Sequence, residues 1–185
     1  MDLKKIYINH NQLQGHVLEL IRQIHIDGWK PDYVVGITRG GLLPAVLISQ
    51  YLSLPMHAIK VSLRDGQPDD CESKLWMAED AVGYISFYDR TENVASNPAD
   101  RKNILIVDDI NDSGATIAWI KNDWQGGCLP NDAVWDDVWG NNVRVAVVVN
   151  NLASSQEVDY SSMEINKEED PSWIVFPVEN WWEIS

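Results

Sequence analysis

Cysteine is scarce in this sequence, and long hydrophobic runs are absent from it. Its 185 residues include two cysteines, Cys71 and Cys128. Their spacing is not that of a zinc site and their number is too low for a disulfide scaffold, so we expect two free thiols. No stretch approaches the roughly 18 apolar residues that a membrane span needs, and residues 1–5 lack the apolar run of a secretory signal. We therefore expect a cytoplasmic protein without a membrane partner.

Basic residues are also few. The chain has 14 Lys and Arg against 28 Asp and Glu, which gives a formal net charge of −14. Binding to a nucleic-acid backbone needs a clustered basic face, so we expect no nucleic-acid partner. An acidic protein that binds an anionic substrate has to concentrate positive potential locally. Backbone amides, a few arginines and Mg²⁺ are the candidates for that task.

The apolar residues that are present predict a single α/β domain. They make up 45% of the chain, which is enough to bury one core, and the length predicts one domain over residues 1–185. Apolar runs predict buried strands and periodic segments predict helices. The predicted strands cover 33–37, 56–61, 103–107 and 143–149, and the predicted helices cover about 10–27, 42–52 and a segment from about 115. Their alternation predicts a mainly parallel central sheet flanked by helices, which binds ligands at the carboxyl ends of its strands.

Two segments interrupt this alternation. Residues 62–100 are rich in Asp, Glu, Ser, Asn and Pro, and residues 123–142 combine glycines, a proline and three tryptophans. Segments this long between regular elements are usually functional lids or insertions. We expect the aromatic C-terminal tail to dock onto the domain. The tryptophans of the second segment are expected to line an interface: Trp124, Trp135 and Trp139.

The most specific pattern is ILIVDDINDSGAT at residues 104–116, a buried strand that delivers two carboxylates to a loop opening a helix. The free backbone amides at a helix N-terminus can enclose a phosphate, and the predicted cradle consists of Asp112, Ser113, Gly114, Ala115 and Thr116. Asp108 and Asp109 can accept hydrogen bonds from vicinal ribose hydroxyls and can reach Mg²⁺. A single Asp could simply cap the helix. That alternative does not account for the whole pattern.

This segment resembles the signature of the type I phosphoribosyltransferases that binds 5-phosphoribosyl-1-pyrophosphate (PRPP). The signature is a hydrophobic strand, two acidic residues and an Asp-Thr/Ser-Gly-x-Thr turn. The resemblance implies that Asp108 and Asp109 hold the ribose hydroxyls and the metal, and that residues 112–116 hold the 5-phosphate. It also implies that Asp112 lies near the incoming base, as the candidate acceptor of its proton.

A second segment, Thr38-Arg39-Gly40-Gly41, resembles the pyrophosphate loop of the same family, where backbone amides and an Arg meet the leaving group. Taken alone, an Arg-Gly-Gly turn is also an ordinary exposed reversal between a strand and a helix. Residues 62–100 match the position of the family's flexible hood, which closes over PRPP and excludes water. The cations of that hood are Arg64, Lys74 and Arg90, and the sequence alone does not choose between them. Arg64 and Lys74 are our candidates for the pyrophosphate.

The C-terminal segment WIVFPVE at 173–179 resembles that of the xanthine-guanine and hypoxanthine branch, in which an aromatic residue stacks on the purine. By that resemblance Trp173 is the platform for the base, and Ile174 and Val175 meet its edge. The open alternative is that Trp173 is an aromatic of the core or of an edge strand.

One departure from that branch concerns the end of the strand at 143–149. Where 6-oxopurine enzymes place a Lys that donates to the purine oxygen, this chain has Asn150-Asn151-Leu152-Ala153. Asn151 is the nearest positional match and our candidate contact for the base. An amide can donate, but it carries no charge and can also accept from an amino group, so the identity of the base stays open.

The resemblance as a whole implies an enzyme of nucleotide metabolism. The implied reaction moves the 5-phosphoribosyl group of PRPP, with Mg²⁺, to a purine and yields a nucleoside 5-monophosphate and pyrophosphate. A 6-oxopurine such as hypoxanthine, guanine or xanthine is the expected acceptor, and purine salvage is the implied role. Two alternatives stay open: a non-catalytic regulator that binds PRPP or a nucleotide, and a phosphoribosyltransferase for another base. The family also implies a homo-oligomer, either a dimer or a tetramer.

Overall fold

Strands and helices alternate along the chain, as the sequence predicts. The protein is described here by a computed structural model covering residues 4–64, 67–84, 96–179 and 182. The strands are β1 (Lys4–Tyr7), β2 (Tyr33–Thr38), β3 (Met56–Lys60), β4 (Leu63–Arg64), β5 (Gln67–Pro68), β6 (Ile104–Asn111), β7 (Val143–Asn151), β8 (Tyr160–Ile165) and β9 (Ser172–Val175). The helices are α1 (His10–Asp27), α2 (Leu42–Leu52), α3 (Leu75–Val82) and α4 (Ala115–Gly127), with 3₁₀ turns at Pro98–Asp100 and Ala133–Asp137.

The central sheet contains five of the described strands, in the order β3-β2-β6-β7-β8, and every pairing in it is parallel. This confirms the predicted α/β architecture. The parallel arrangement brings the carboxyl ends of β2, β6 and β7 to one edge, where the segments singled out in the sequence emerge. Strand β6 is longer than predicted, because its ladder with β7 continues to Asn111.

A core lies on each face of the sheet. Helix α1 begins after Asn9, whose side chain and that of Gln12 form reciprocal capping bonds of 2.9 Å. Its apolar residues recur at helical spacing and are at most 2% exposed: Leu13, Val17, Leu20, Ile21 and Ile24. They pack with α2 on one face of the sheet, and residues of α3 and α4 fill the other face. None of the helices in the described part of the chain is long and apolar enough to cross a membrane.

Helix α3 lies within the predicted lid at 62–100. Four of its residues are completely buried in the core: Met77, Ala78, Ala81 and Val82. The helix thus contributes apolar surface to the core on that face of the sheet. The extent of the lid stays a prediction, and residues 85–95 lie outside the described residues.

The tryptophans of the 123–142 segment pack mainly inward. Trp124 is completely buried, and Trp135 is 6% exposed and donates from its indole nitrogen to the carbonyl of Cys128 at 3.0 Å. Trp139 is partly buried and stacks on Trp135. The prediction that these residues line an interface is wrong for Trp124 and Trp135, because they complete the core beneath α4. Both cysteines are free thiols, as predicted.

Strands β1 and β9 form a separate parallel ribbon, in which Lys5 pairs with Trp173. Ile174 and Phe176 are 4% exposed and belong to the core on the α1 side, which confirms that the tail docks. Alternation along β9 turns Trp173 to the other face, where it is 51% exposed. Trp173 is therefore an exposed aromatic of this ribbon and not a core residue.

Candidate functional site

A cavity of about 260 Å³ opens at the carboxyl ends of β2 and β6 and at the start of α4. It joins the two segments that the sequence singled out, which are about 70 residues apart in the chain. The polar and glycine residues of these segments that line it are Thr38, Gly40, Asp108, Asp109, Asn111, Asp112, Ser113, Gly114 and Thr116. Ala115 lines it as well.

The first turn of α4 forms one wall of the cavity. Gly114 has a φ of +87°, a conformation that favours glycine, and the helix begins directly after it. The first amides of a helix have no partner within it, and the Ser113 hydroxyl accepts from the Ala115 amide at 3.3 Å. An amide wall of this kind, with the positive end of the helix dipole behind it, suits a phosphate group.

Asp108 and Asp109 lie in the second half of β6 rather than in the loop after it. Asp108 is 9% exposed, and its Oδ1 accepts from the Asp109 amide at 2.9 Å. Burial, reinforced by the charge of Asp109, raises the pKa of Asp108 well above its ordinary value. Burial also raises the pKa of Asp109. Two adjacent carboxylates repel each other, so a cation or hydroxyl donors placed beside them would stabilise their charged forms.

A third carboxylate, Glu179, is close enough to Asp109 to interact with its charge, and it was not singled out in the sequence. Burial raises the pKa of Glu179, and the charge of Asp109 raises it further. Among the described residues, no three His, Cys, Asp or Glu side chains are arranged to hold a metal ion by themselves. The donors present fit Mg²⁺, which is commonly held by one or two carboxylates together with substrate oxygens and water.

The raised pKa of Asp108 predicts that Asp108→Asn stabilises the ligand-free protein at pH 7–8. A carboxyl whose pKa is higher in the folded state destabilises that state above its unfolded pKa, and protonation relieves the effect as the pH falls. Relief of about 1 kcal/mol corresponds to a rise in melting temperature of about 2–4 °C for a chain of this length. Thermal unfolding at pH 7.5 and at pH 5 measures it, and the gain should shrink at pH 5.

The matched control for that measurement is Asp27→Asn. Hydrogen bonds from Tyr160 and then from Arg144 lower the pKa of Asp27, so its charge stabilises the folded state above the folded pKa. The control should lower the melting temperature at pH 7.5. If the melting temperature of Asp108→Asn fell instead, burial of the Asp108 charge beside Asp109 would not be what destabilises the ligand-free protein.

The glycine turn after β2 packs directly against the acidic pair. The Thr38–Arg39 peptide bond is cis, and a Cβ on Gly40 would overlap the carboxylate of Asp109. A Cβ on Gly41 would overlap the carbonyl of Val107. Both positions therefore need glycine, because the turn approaches β6 too closely for any side chain.

The predicted cations of the pyrophosphate site lie in different places in the structure. Arg39 is exposed at the rim, next to Gly40. Lys74 lies at the start of α3, where its ammonium pairs with Glu72 at 3.0 Å. The side chain of Arg64 and the whole of Arg90 lie outside the described residues. Arg39 is thus the predicted cation that the structure brings to the cavity region through its own turn.

Asp112 meets a cation that the sequence did not single out. The Lys167 ammonium lies 2.8 Å from Asp112 Oδ2 and 5.8 Å from the centroid of the Trp173 ring. Lys167 thereby links the predicted proton acceptor to the predicted base platform. A signal was available, since Lys167 is the only basic residue after Arg144 in the sequence. Three acidic residues follow it directly, a composition typical of a solvated surface turn.

Asn151 lies behind the site rather than at its surface. It is 6% exposed, and its amide nitrogen donates to the Asp112 carbonyl at 3.0 Å. Its side-chain oxygen accepts from the amides of Lys167 at 3.0 Å and Ala153 at 3.3 Å. The contact between Asn151 and the base stays a prediction, and without a ligand this buried amide bonds mainly to backbone groups.

Known proteins resemble this chain in sequence and in fold. The family described as "Phosphoribosyl transferase domain" matches residues 3–182. A hypoxanthine-guanine phosphoribosyltransferase of Schizosaccharomyces pombe is 22% identical over 140 residues, which cover 68% of this chain and 62% of that protein. The match thus spans a little under two thirds of this curated relative.

Two solved structures share the fold over nearly their whole length. A purine phosphoribosyltransferase from Pyrococcus horikoshii Ot3 superimposes with a TM-score of 0.63 at 23% identity, covering 98% of both chains. A xanthine-guanine-hypoxanthine phosphoribosyltransferase of Helicobacter pylori superimposes with a TM-score of 0.64 at 16% identity, covering 98% of this chain and 97% of the other. At these identities the likeness shows the fold.

Proposed function

Because the chain belongs to the phosphoribosyl transferase domain family, we propose that it transfers the 5-phosphoribosyl group of PRPP to a purine base. One observation carries the proposal: a single cavity joins the acidic pair of β6, the amide wall of α4 and the glycine turn after β2. These three parts match the ribose, the 5-phosphate and the pyrophosphate of one PRPP molecule. The names of the relatives favour a purine as the acceptor.

In this proposal the amides of residues 112–116 bind the 5-phosphate, aided by the Ser113 and Thr116 hydroxyls. Asp108 and Asp109 accept hydrogen bonds from the ribose 2- and 3-hydroxyls. The turn at 38–41 lies on the side of the pyrophosphate, with Arg39 as its cation. Bound Mg²⁺, held by the Asp108 and Asp109 carboxylates with substrate oxygens, would neutralise charge on the leaving pyrophosphate.

The reaction breaks the bond between ribose C1 and the pyrophosphate oxygen and forms a bond from C1 to a base nitrogen. The electron pair of the broken bond leaves with pyrophosphate, so positive charge develops on the ribose in the transition state. The protein then contributes to catalysis mainly by holding PRPP and the base in fixed positions, which aligns the attacking nitrogen with C1. As this bond forms, a second ring nitrogen of the base loses its proton, and the carboxylate of Asp112 accepts it.

The proposed acceptor is a 6-oxopurine such as hypoxanthine, guanine or xanthine. The exposed ring of Trp173 offers a flat surface for stacking, and Ile174 and Val175 provide backbone groups for the edge of the base. Asp112 is joined to this surface through Lys167. The role of the protein would then be purine salvage in the cytoplasm, and a dimer or tetramer stays a prediction.

The test is a panel of hypoxanthine, guanine, xanthine, adenine, uracil and orotate with PRPP and Mg²⁺, in which pyrophosphate release is measured. PRPP binding is measured in parallel by calorimetry. Release with a 6-oxopurine supports the proposal, and release with another base alone assigns the protein to that base. Tight PRPP binding with no release across the panel would instead favour the non-catalytic regulator.

A further inference from the structure

We propose that Lys167 is the residue that selects a base bearing a carbonyl oxygen, and that Asn151 positions it. The inference rests on the proposed function and names the chemical group by which the acceptor is recognised. It starts from a difference in chain position. The resemblance places a Lys after β7, next to the purine. In this chain the cation next to the predicted base site is Lys167, which comes from the turn after β8.

The register of the sheet explains how a residue from another strand reaches this site. Asn151 at the end of β7 pairs with Ile165 at the end of β8, and the Leu152 amide donates to the Ile165 carbonyl at 2.8 Å. Lys167 follows Ile165 by two residues. A turn begins at Asn166, whose carbonyl accepts from the amides of Glu169 and Asp170 at 3.2 and 2.9 Å. The β7–β8 ladder therefore delivers Lys167 beside the end of β7.

The side chain of Lys167 is held between the two groups assigned to the base. It is 20% exposed, its ammonium lies 2.8 Å from Asp112 Oδ2, and it lies 5.8 Å from the Trp173 centroid. An ammonium has three donors. One points to Asp112, so the others can donate to a ligand that stacks on Trp173.

A donor beside an acceptor complements one kind of ligand edge. Asp112 accepts from an N–H group and Lys167 donates to an oxygen, so the pair matches a base that presents N–H next to a carbonyl. An amino group in place of that oxygen would set N–H donors against the ammonium, and a ring without the oxygen would leave the ammonium unpaired. Hydrogen bonds to charged groups discriminate such ligands by about 10- to 150-fold.

Asn151 fixes this arrangement from behind. Its side-chain oxygen accepts from the Lys167 amide at 3.0 Å, and its side-chain nitrogen donates to the Asp112 carbonyl at 3.0 Å. One buried amide therefore ties together the backbones of the donor and the acceptor. Asn151 is a positioning residue, and Asn151→Ala should weaken both roles without removing either charge.

The test compares hypoxanthine with unsubstituted purine, which has the same ring but no 6-oxygen, in wild type and Lys167→Met. In wild type kcat/KM should favour hypoxanthine by about 10- to 150-fold. In Lys167→Met the preference should fall to within about threefold, because only hypoxanthine loses a partner. A purely structural role would lower both values equally, and that result, or an unchanged preference, would overturn the inference.

Two further measurements separate the possible failures. PRPP affinity of Lys167→Met should stay within about threefold of wild type, which shows that the variant folds. Lys4→Met is the matched control, since Lys4 also pairs with an aspartate, Asp170, but at an exposed position, and its base preference should not change. If wild type transfers to no base at all, the proposed function fails; if wild type is active and the preference survives in Lys167→Met, only the role of Lys167 fails.

Discussion

Asp112→Asn is expected to lower kcat by about 100- to 10,000-fold, the usual contribution of a general base, while PRPP affinity changes by less than about threefold. Asparagine has nearly the same shape as aspartate but cannot take a proton from the base. The main chain of residue 112, which forms part of the phosphate cradle, is unchanged, and the carbonyl bond to Asn151 is retained. Single-turnover kinetics and PRPP calorimetry measure the two quantities separately.

The matched control is Asp123→Asn on the same helix. Asp123 accepts a hydrogen bond from Ser73 at 2.7 Å and lies two turns from the cradle. Its substitution should leave both quantities unchanged. If Asp112→Asn lost turnover and PRPP affinity in equal measure, Asp112 would be a binding group for PRPP and not the proton acceptor.

Gly114→Val is expected to lower PRPP affinity by at least about 100-fold. Gly114 has a φ of +87°, and a Cβ there would lie 2.5 Å from Ser155 Oγ and 2.9 Å from the Gln156 amide nitrogen. The opposing loop cannot easily retreat, because the Ser155 hydroxyl and amide both donate to the Ser113 carbonyl, at 2.8 and 3.2 Å. A β-branched residue in this conformation forces the cradle amides out of position.

Gly126→Val provides the control for a glycine change in α4. A Cβ on Gly126 meets no atom within 4 Å, and its φ is not positive, so PRPP affinity should be unchanged. Circular dichroism and thermal unfolding check that Gly114→Val is folded, and Gly114→Ala gives a milder step in the same direction. Gly114→Val with PRPP affinity near that of wild type would mean that the 5-phosphate is bound elsewhere.

The fold could be predicted where the chain is uniformly apolar. Strands β2, β6 and β7 are largely buried on both faces, so each contains a run of apolar, mostly branched residues. Strand β8 was missed because it is the edge of the central sheet and mixes Ser and Glu with Met and Ile. Strand β1 has only four residues and depends on pairing with β9, a partner distant in the chain.

Composition is a poor guide to burial where small or aromatic residues fill the core. Helix α3 lies in an acidic, polar stretch, but its two alanines and its Met and Val reach the core. Trp124 and Trp135 were expected to line an interface, but the large apolar area of tryptophan serves a core equally well. Neither outcome follows from local sequence, since both depend on which surfaces the sheet leaves uncovered.

In the candidate site, too, local sequence predicts some residues and not others. Asp108, Asp109 and the 112–116 cradle follow a contiguous motif on a single strand and turn, and the structure brings them to one cavity with Gly40. Lys167 reaches Asp112 through strand register, and docking of the tail brings Glu179 close enough to interact with the charge of Asp109. A sequence read segment by segment does not contain that information. The hydrogen bonds that Asn151 makes to the backbone of residues 112, 153 and 167 likewise depend on how the strands align, which the sequence of one segment does not give.

The most direct test of the account follows ribose C1 by ¹³C NMR. The sample contains the protein, Mg²⁺, hypoxanthine and PRPP labelled with ¹³C at C1. The expected result is that the C1 signal of PRPP is replaced by that of inosine 5-monophosphate, with one pyrophosphate released per nucleotide. A PRPP signal that persists although PRPP binds, or conversion to ribose 5-phosphate alone, would contradict transfer to a purine as the activity of this protein.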